Sequence, residues 1–191
     1  MKIKNVVAML FAVFAISGLS AQEKIEWIKI DQLEKSIGQT NNQGKKILVD
    51  CYTDWCGWCK RMDKDTFSDT LIAKIMNYYF IAVKFDAECQ ENITFKGKEY
   101  KSNGTTSKKK NPHQLAYYLL NNRLSYPSFS IMNTDLNVIE VIAGYNNPNE
   151  FEKMLVFFGE GLNTELDYNQ FAKEYETKYK ADILKKINRT K

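Results

Sequence analysis

The sequence predicts an α/β domain with a mixed central β-sheet flanked by helices. Its 191 residues are 44% hydrophobic, which is enough for one domain with a sizeable core. Two nearly continuous apolar runs, residues 47–53 and 80–86, have the composition of buried central strands and alternate with helical patterns. Two later strand patterns, residues 128–133 and 138–143, are joined by a short turn. Strands that first alternate with helices and then end in a hairpin indicate a mixed sheet.

The first half of the chain contributes an edge strand and three helices around the two central runs. Residues 27–30 alternate weakly and predict the edge strand, and residues 31–39 predict a helix with Asp31 as its N-cap. A second helix is expected over residues 56–64. A cap signal then predicts a third over residues 69–78.

The second half contains an insertion and three more helices. Residues 93–100 predict a small hairpin inside a polar segment, residues 87–111. An Asn-Pro pair then begins a helix expected over residues 112–122. Residues 149–159 and 164–187 predict the last two helices, of which the final one is charged and carries an aromatic stripe. That stripe favours packing against the domain over binding a partner.

The N-terminus has the pattern of a signal peptide. Lys2 and Lys4 precede an apolar run, residues 6–16, and small residues follow it. The run is too short to span a bilayer comfortably, although an uncleaved anchor is the alternative. Cleavage removes two lysines and no acid, so the net charge falls from +4 to +2, which gives no reason to expect nucleic acid as a partner. The expected organisation is a signal peptide at 1–21, a domain at 22–160 and a C-terminal helical extension at 161–191.

The motif with the most specific chemical implication is Trp55-Cys56-Gly57-Trp58-Cys59-Lys60, directly after the first central strand. Cysteines three positions apart on a helix share one face and can form a local disulfide. The unpaired N–H groups and the dipole at a helix N-terminus favour the thiolate, which is the attacking species in disulfide exchange. Cys56 is therefore the candidate nucleophile, and Cys59, one turn deeper, the candidate resolving thiol.

Four other residues fit the same chemistry. Asp50 interrupts a core strand, and a buried carboxylate with a raised pKa can accept the proton that Cys59 must lose, directly or through water. Lys84, on the neighbouring strand, is a candidate partner for that acid. Tyr126-Pro127 opens a later strand, where proline is often cis and exposes the preceding backbone to a substrate.

Together these residues resemble the thioredoxin superfamily over residues 27–159. The resemblance rests on three elements in the same order: Val49-Asp50 followed by Cys56-Gly57-Trp58-Cys59-Lys60, then Val83-Lys84-Phe85-Asp86, then Tyr126-Pro127-Ser128. Asp50 and Lys84 match the buried acid and its lysine neighbour in thioredoxins. Residues 52–56 also look like the branch that contains the C-terminal domain of the DsbD reductase.

The resemblance implies a thioredoxin fold, with an insertion before the cis-Pro loop and an added C-terminal helix. It implies a periplasmic thiol–disulfide oxidoreductase that acts on protein disulfides and receives electrons from a membrane partner. Trp55, Gly57, Trp58, Tyr126 and Pro127 are the expected substrate contacts. No cofactor is expected, because the dithiol itself carries the electrons. The Gly-Trp pair between the cysteines departs from the Gly-Pro of thioredoxin, which leaves the direction of electron flow open. The buried acid and the resemblance to the reductase branch favour reduction or isomerisation of protein disulfides over oxidation.

The sequence fits three other roles of the cysteines less well: zinc binding, covalent haem attachment and a purely structural disulfide. A zinc site lacks a second ligand pair, and covalent haem attachment requires His where Lys60 stands. A purely structural disulfide leaves Asp50 unexplained. Cys51 is expected to be a small buried hydrophobe, although a disulfide with Cys89 stays open.

Two predictions concern residues away from the motif. His113 is expected to be a solvated surface histidine, because no partner signal lies nearby. An alternative function, a binding or chaperone module, would use residues 87–111 and the C-terminal helix to hold partner proteins.

Overall fold

The computed structural model describes residues 22–106 and 109–189. The predicted signal peptide, residues 1–21, lies outside the described residues. The strands are β1 (Ile28–Lys29), β2 (Lys46–Tyr52), β3 (Phe80–Asp86), β4 (Ile93–Phe95), β5 (Lys98–Tyr100), β6 (Thr105–Thr106), β7 (Lys109–Lys110), β8 (Ser128–Met132) and β9 (Val138–Ala143). The α-helices are α1 (Leu33–Ile37), α2 (Gly57–Asp65), α3 (Thr70–Tyr79), α4 (Gln114–Leu119), α5 (Pro148–Gly159), α6 (Tyr168–Glu174) and α7 (Lys180–Asn188).

The central sheet is mixed, as predicted, with the strand order β1-β3-β2-β8-β9. β2 pairs in parallel with β3 and antiparallel with β8, so Asp50 lies opposite Lys84 on one side and Phe129 on the other. Both central strands, β2 and β3, are almost wholly buried. The continuous apolar composition of these strands thus reflects a position between two neighbours and two layers of helices.

Each face of the sheet has its own core, because successive residues of a strand point to opposite faces. Leu48 of β2 belongs to a cluster with Met62 of α2, Ile72 of α3 and Phe151 of α5. Cys51, three residues further along β2, belongs to the second cluster, which includes Leu33 of α1 and Leu115 of α4. Asp50 lies two residues after Leu48, so its side chain points to the same face of the sheet, toward the cluster that contains Leu48.

The insertion folds as two small hairpins. β4 and β5 form the predicted hairpin, and its turn residues, Lys96 and Gly97, have φ of 56° and 69°. β6 and β7 form a second antiparallel pair, which the sequence did not predict within the polar segment.

His113 contradicts its prediction as a surface residue. It is fully buried, its Nδ1 accepts the backbone N–H of Leu115 at 3.1 Å, and its Nε2 lies 3.0 Å from the carbonyl oxygen of Glu91. An accepting Nδ1 places the ring hydrogen on Nε2, which donates to that carbonyl. His113 is thus the N-cap of α4, which begins two residues after the predicted start at Pro112. The start of the first helix also differs from prediction: residues 30–32 form a 3₁₀ turn that includes Asp31, α1 follows it, and Gln32 rather than Asp31 is the N-cap of α1.

The C-terminal extension is helical, but it is not one uniform helix from residue 164. A 3₁₀ turn at Leu162–Thr164 precedes α6, and a π-helical turn at Tyr175–Tyr179 joins α6 to α7. The predicted aromatic stripe is buried as expected, with Phe171 1% and Tyr175 0% exposed. None of the helices in the described part of the chain is long and apolar enough to span a membrane.

Candidate redox site

The two cysteines of the motif lie at the N-terminus of α2 and are joined as a disulfide. Cys56 is the N-cap, and its Sγ accepts the backbone N–H of Cys59 at 3.0 Å. This bond uses one of the N–H groups that a helix start leaves unpaired, and a thiolate at Cys56 would accept it more strongly than a thiol. Only 3% of Cys56 and 5% of Cys59 are exposed, so a substrate must approach the sulfurs closely.

Asp50 is 2% exposed on the central strand, where the predicted lysine partner meets it. Lys84 Nζ lies 2.7 Å from Asp50 Oδ2. The other oxygen, Oδ1, has no hydrogen-bond partner among the described residues. Burial raises the pKa of Asp50 from 3.8 to about 6, although Lys84 acts to lower it. Asp50 therefore changes protonation near neutral pH and has one carboxylate oxygen available.

Lys84 is shared between two carboxylates and lies among aromatic rings. Its Nζ also pairs with Asp63 of α2. The ring centroids of Trp27, Tyr52 and Phe67 lie 4.8, 5.4 and 4.9 Å from that nitrogen. Burial acts to lower the pKa of Lys84, but the two acids outweigh it and the pKa is raised. The ammonium is therefore held in its charged form between the sheet and the helix of the cysteines.

Sequence reasoning missed Asp63. The signal was present, because Asp63 is four residues after Cys59 and residues four apart share a helix face. Among the described residues, Asp50 makes no hydrogen bond to Cys59. The acid and its lysine are thus brought together as predicted, whereas a direct contact between the acid and the resolving cysteine is not formed in the oxidised state.

The expected substrate contacts surround the disulfide on two sides. On one side, Trp55 is 67% exposed and its ring meets Tyr126 edge to face at 6.1 Å. Its indole N–H donates to both carboxylate oxygens of Glu88 at 3.1 Å, a partner that the sequence did not reveal. Pro127 is buried, and the Tyr126-Pro127 peptide bond is cis, as expected.

On the other side lies Trp58, which is 56% exposed between the two cysteines. It packs against Tyr145, with ring centroids 5.4 Å apart, and does not share the Trp55–Tyr126 contact. Gly57 is exposed, and a Cβ built there would meet no atom within 4 Å. The site is thus an accessible rim around two nearly covered sulfurs.

The remaining cysteines are free thiols and are not joined to each other. Cys51 is fully buried on the face opposite Asp50, where burial raises its pKa well above the ordinary value. Burial, followed by Asp86 and Glu91, raises the pKa of Cys89 to about 11. Both thiols are therefore protonated at neutral pH and poor nucleophiles. The described ranges contain no cluster of three His, Cys, Asp or Glu residues suited to a metal ion.

Known proteins are similar to this chain in sequence or in fold. A thiol:disulfide interchange protein DsbD from Pseudoalteromonas atlantica is 34% identical over 67 residues, which are 35% of this chain and 11% of that protein. The chain spans about a tenth of the length of the curated relatives it matches. Two solved structures are similar in fold, each with a TM-score of 0.51.

The first is a thioredoxin-fold protein from Helicobacter pylori, 18% identical and covering 79% of this chain and 95% of that one. The second is a thioredoxin from Thermus thermophilus, 16% identical and covering 74% and 94%. The model of the Thioredox_DsbH family, described as "Protein of unknown function, DUF255", matches residues 18–129, more than half of the chain. The chain therefore belongs to the Thioredox_DsbH family, within the thioredoxin-like thiol–disulfide oxidoreductases that carry a CxxC pair.

Proposed function

We propose that this protein is an exported thiol–disulfide oxidoreductase that reduces or isomerises protein disulfides through Cys56 and Cys59. The observation that carries the proposal is the pair of sulfurs at the start of α2, in a domain that buries Asp50 against Lys84. A disulfide that only stabilised the fold would need neither an acid of raised pKa nor a rim of exposed aromatic rings.

In the reduced protein, the Cys56 thiolate attacks one sulfur of a substrate disulfide. A bond forms between Cys56 and that sulfur, and the other substrate sulfur leaves as a thiolate. Cys59 then loses its proton and attacks Cys56 Sγ, which releases the second substrate thiolate. Two electrons pass to the substrate, and the protein is left with the Cys56–Cys59 disulfide seen here.

Asp50 accepts the proton of Cys59 in this scheme. Its pKa of about 6 leaves it mostly ionised at neutral pH, yet much closer to protonation than an ordinary carboxylate. Because Asp50 makes no hydrogen bond to Cys59 in the oxidised state, a water molecule or a small movement must complete the path. Lys84 holds the carboxylate in place and limits the rise of its pKa.

The rim residues are proposed to dock the substrate. Tyr126 precedes the cis peptide bond and presents its backbone to an extended substrate segment, while buried Pro127 forms the base of that loop. Trp55 and Trp58 offer exposed rings on either side of the sulfurs, and Gly57 leaves room for the close approach that covered sulfurs require.

Export and an electron donor belong to the same proposal. The pattern of residues 1–21 supports export, and an oxidising compartment contains the protein disulfides that such an enzyme would act on. The similarity to interchange proteins named DsbD supports a membrane protein as the source of electrons and the periplasm as the compartment.

Insulin reduction and disulfide trapping test the function. The reduced protein should cleave insulin disulfides, and Cys59→Ser should accumulate mixed disulfides through Cys56, because the resolving attack is lost. Cys89→Ser is the matched control, since Cys89 lies outside the motif, and it should trap nothing. A binding module would hold the same partners with or without Cys59 and leave insulin intact, which would refute the proposed activity.

The redox potential of the Cys56–Cys59 couple decides the direction of electron flow. A potential near −270 mV would mark a thioredoxin-like reductant, a potential near −180 mV a disulfide isomerase, and one near −120 mV an oxidant. Equilibration with glutathione or dithiothreitol buffers of known ratio measures it, and an oxidant-like value would contradict the reducing or isomerising role.

A further inference from the structure

A cationic aromatic shelf lies next to the disulfide on the α2 side. It consists of Trp58, Arg61 and Tyr145. The guanidinium carbon of Arg61 is 5.7 Å from the centroid of the Trp58 ring and 6.0 Å from that of Tyr145, while the two rings are 5.4 Å apart. Trp58 directly precedes Cys59, so the shelf begins at the sulfur pair.

The terminal nitrogens of the Arg61 guanidinium are available as hydrogen-bond donors on this shelf. Its Nε donates to Asp65 Oδ2 at 3.0 Å, and its terminal nitrogens make no hydrogen bond to any described residue. The side chain is 62% exposed. Cation–π contacts with two rings and one ion pair orient the guanidinium in part before it binds a carboxylate, so the shelf presents donors to an anionic group.

The surrounding charges have the same sign. Lys64 is exposed one helical turn after Arg61, and Lys60 is exposed one turn before Lys64. The two acids of this helix, Asp63 and Asp65, are already paired, with Lys84 and Arg61 respectively. Because Arg61 and Asp65 offset each other in charge, Lys60 and Lys64 give the outer face of α2 its net positive charge.

A carboxylate lies on the opposite side of the disulfide. Glu88 accepts the indole N–H of Trp55 there. A substrate segment that crosses the two sulfurs thus meets negative charge on one side and positive charge on the other. A substrate segment with a positive charge at one end and a negative charge at the other binds better in one orientation than in the reverse orientation.

We infer that the Trp58–Arg61–Tyr145 shelf selects disulfide substrates with an acidic side chain beside the attacked cysteine. The carboxylate accepts hydrogen bonds from the terminal nitrogens of Arg61, and the neighbouring apolar part of the substrate packs on Trp58. Lys60 and Lys64 strengthen the attraction at longer range. This inference rests on the proposed function, because the shelf acts on a substrate only if Cys56 and Cys59 react with one.

Three peptides of otherwise identical sequence test the shelf. Each has one internal disulfide and carries Glu, Gln or Lys next to one cysteine, in two sets that place this residue before or after it. The protein is reduced beforehand, and the second-order rate constant of a single turnover is measured by acid quench and separation of the peptides. In one of the two sets, the Glu peptide should react about 1.5 to 5 times faster than the Gln peptide, the range for an exposed ion pair, and the Lys peptide should be slowest. The differences should shrink at high salt.

Arg61→Gln should bring the Glu-to-Gln ratio close to one, and Lys64→Gln should lower it less. Lys185→Gln, a matched change at an exposed lysine of α7 that pairs with Asp182, should keep the wild-type ratio. Equal rates for all three peptides, or an unchanged Glu-to-Gln ratio in Arg61→Gln, would refute the inference that the shelf selects acidic substrates. Neither result would refute the proposed function. Failure of the wild type to reduce any peptide or insulin would overturn the function itself.

Discussion

Asp50 on β2 and Glu152 on α5 are both buried carboxylates beside a lysine, but their oxygens meet different surroundings. Asp50 is 2% exposed and Glu152 5%. Glu152 Oε1 accepts the hydroxyl of Tyr175 at 2.7 Å, and Lys180 Nζ lies 3.4 Å from the carboxylate. Asp50 has Lys84 on one oxygen, and its other oxygen has no hydrogen-bond partner in the part of the chain that the structure describes.

The difference indicates that Glu152 stabilises the fold, whereas Asp50 is the candidate for proton transfer. Tyr175 and Lys180 belong to the C-terminal helical segments, so Glu152 ties that extension to α5 with every oxygen engaged. Asp50 is buried without full compensation, which keeps its proton affinity high and one lone pair available. Replacing the two acids should therefore change the stability of the protein in opposite directions.

The largest effect is expected at Glu152. Glu152→Ala deletes a buried side chain and leaves the Tyr175 hydroxyl without its acceptor, while Lys180 keeps Glu176 as a partner, so the free energy of unfolding should fall by about 3 kcal/mol. Urea denaturation at pH 7 measures it. Glu152→Gln keeps an acceptor for Tyr175 and should lose distinctly less. An alanine variant as stable as the wild type would show that the extension does not depend on this acid.

Asp50→Asn should stabilise the oxidised protein at pH 7. The folded-state pKa of Asp50, about 6, lies above its ordinary 3.8, so the folded protein binds the proton more tightly than the unfolded chain. Stability is then lost as the pH rises from about 4 to above 6. The loss is on the order of 3 kcal/mol, since each pKa unit is worth about 1.4 kcal/mol.

Asparagine resembles the protonated acid and escapes this loss. The gain over wild type should be present at pH 7 and disappear near pH 4, while turnover with insulin should fall by about two orders of magnitude as the proton acceptor is removed. Paired urea titrations at the two pH values check the stability. A variant that is destabilised at pH 7, or equally affected at both pH values, would contradict a raised pKa.

The smallest effects are expected on the titration of Asp50 itself. Asp63→Asn removes a negative neighbour and leaves Lys84 to Asp50 alone, so the pKa of Asp50 should fall. Lys84→Met removes the attracting ammonium, so that pKa should rise. Carbon-13 NMR of the Asp50 carboxyl carbon, assigned with Asp50→Asn, follows both. Shifts in the same direction would show that Lys84 does not mediate between the two acids.

Much of the fold and the sulfur chemistry were predictable because their signals are local. β3 and β9 begin and end at their predicted residues, since continuous or alternating apolar runs report burial directly. The Cys56–Cys59 disulfide follows from helix geometry over three residues. The pairing of Asp50 with Lys84 was also within reach, because two adjacent central strands bring their residues side by side.

The errors concern residues whose role depends on distant neighbours. His113 looked like a surface residue because its partner, the carbonyl of Glu91, lies 22 positions away in the insertion. The C-terminal helix looked uniform because its charge pattern does not reveal the π-helical turn between Tyr175 and Tyr179.

From its amino acids alone, this chain determined its strands, its layered architecture and the reactive sulfur pair, since periodicity and spacing act over a few residues. Only the tertiary structure decided that Asp63 shares Lys84, that Glu88 holds Trp55 and that Glu152 anchors the extension. Each of these contacts joins groups 21 to 33 positions apart. A polar side chain acquires such a partner when packing removes it from water, and the local sequence does not encode which group will be there.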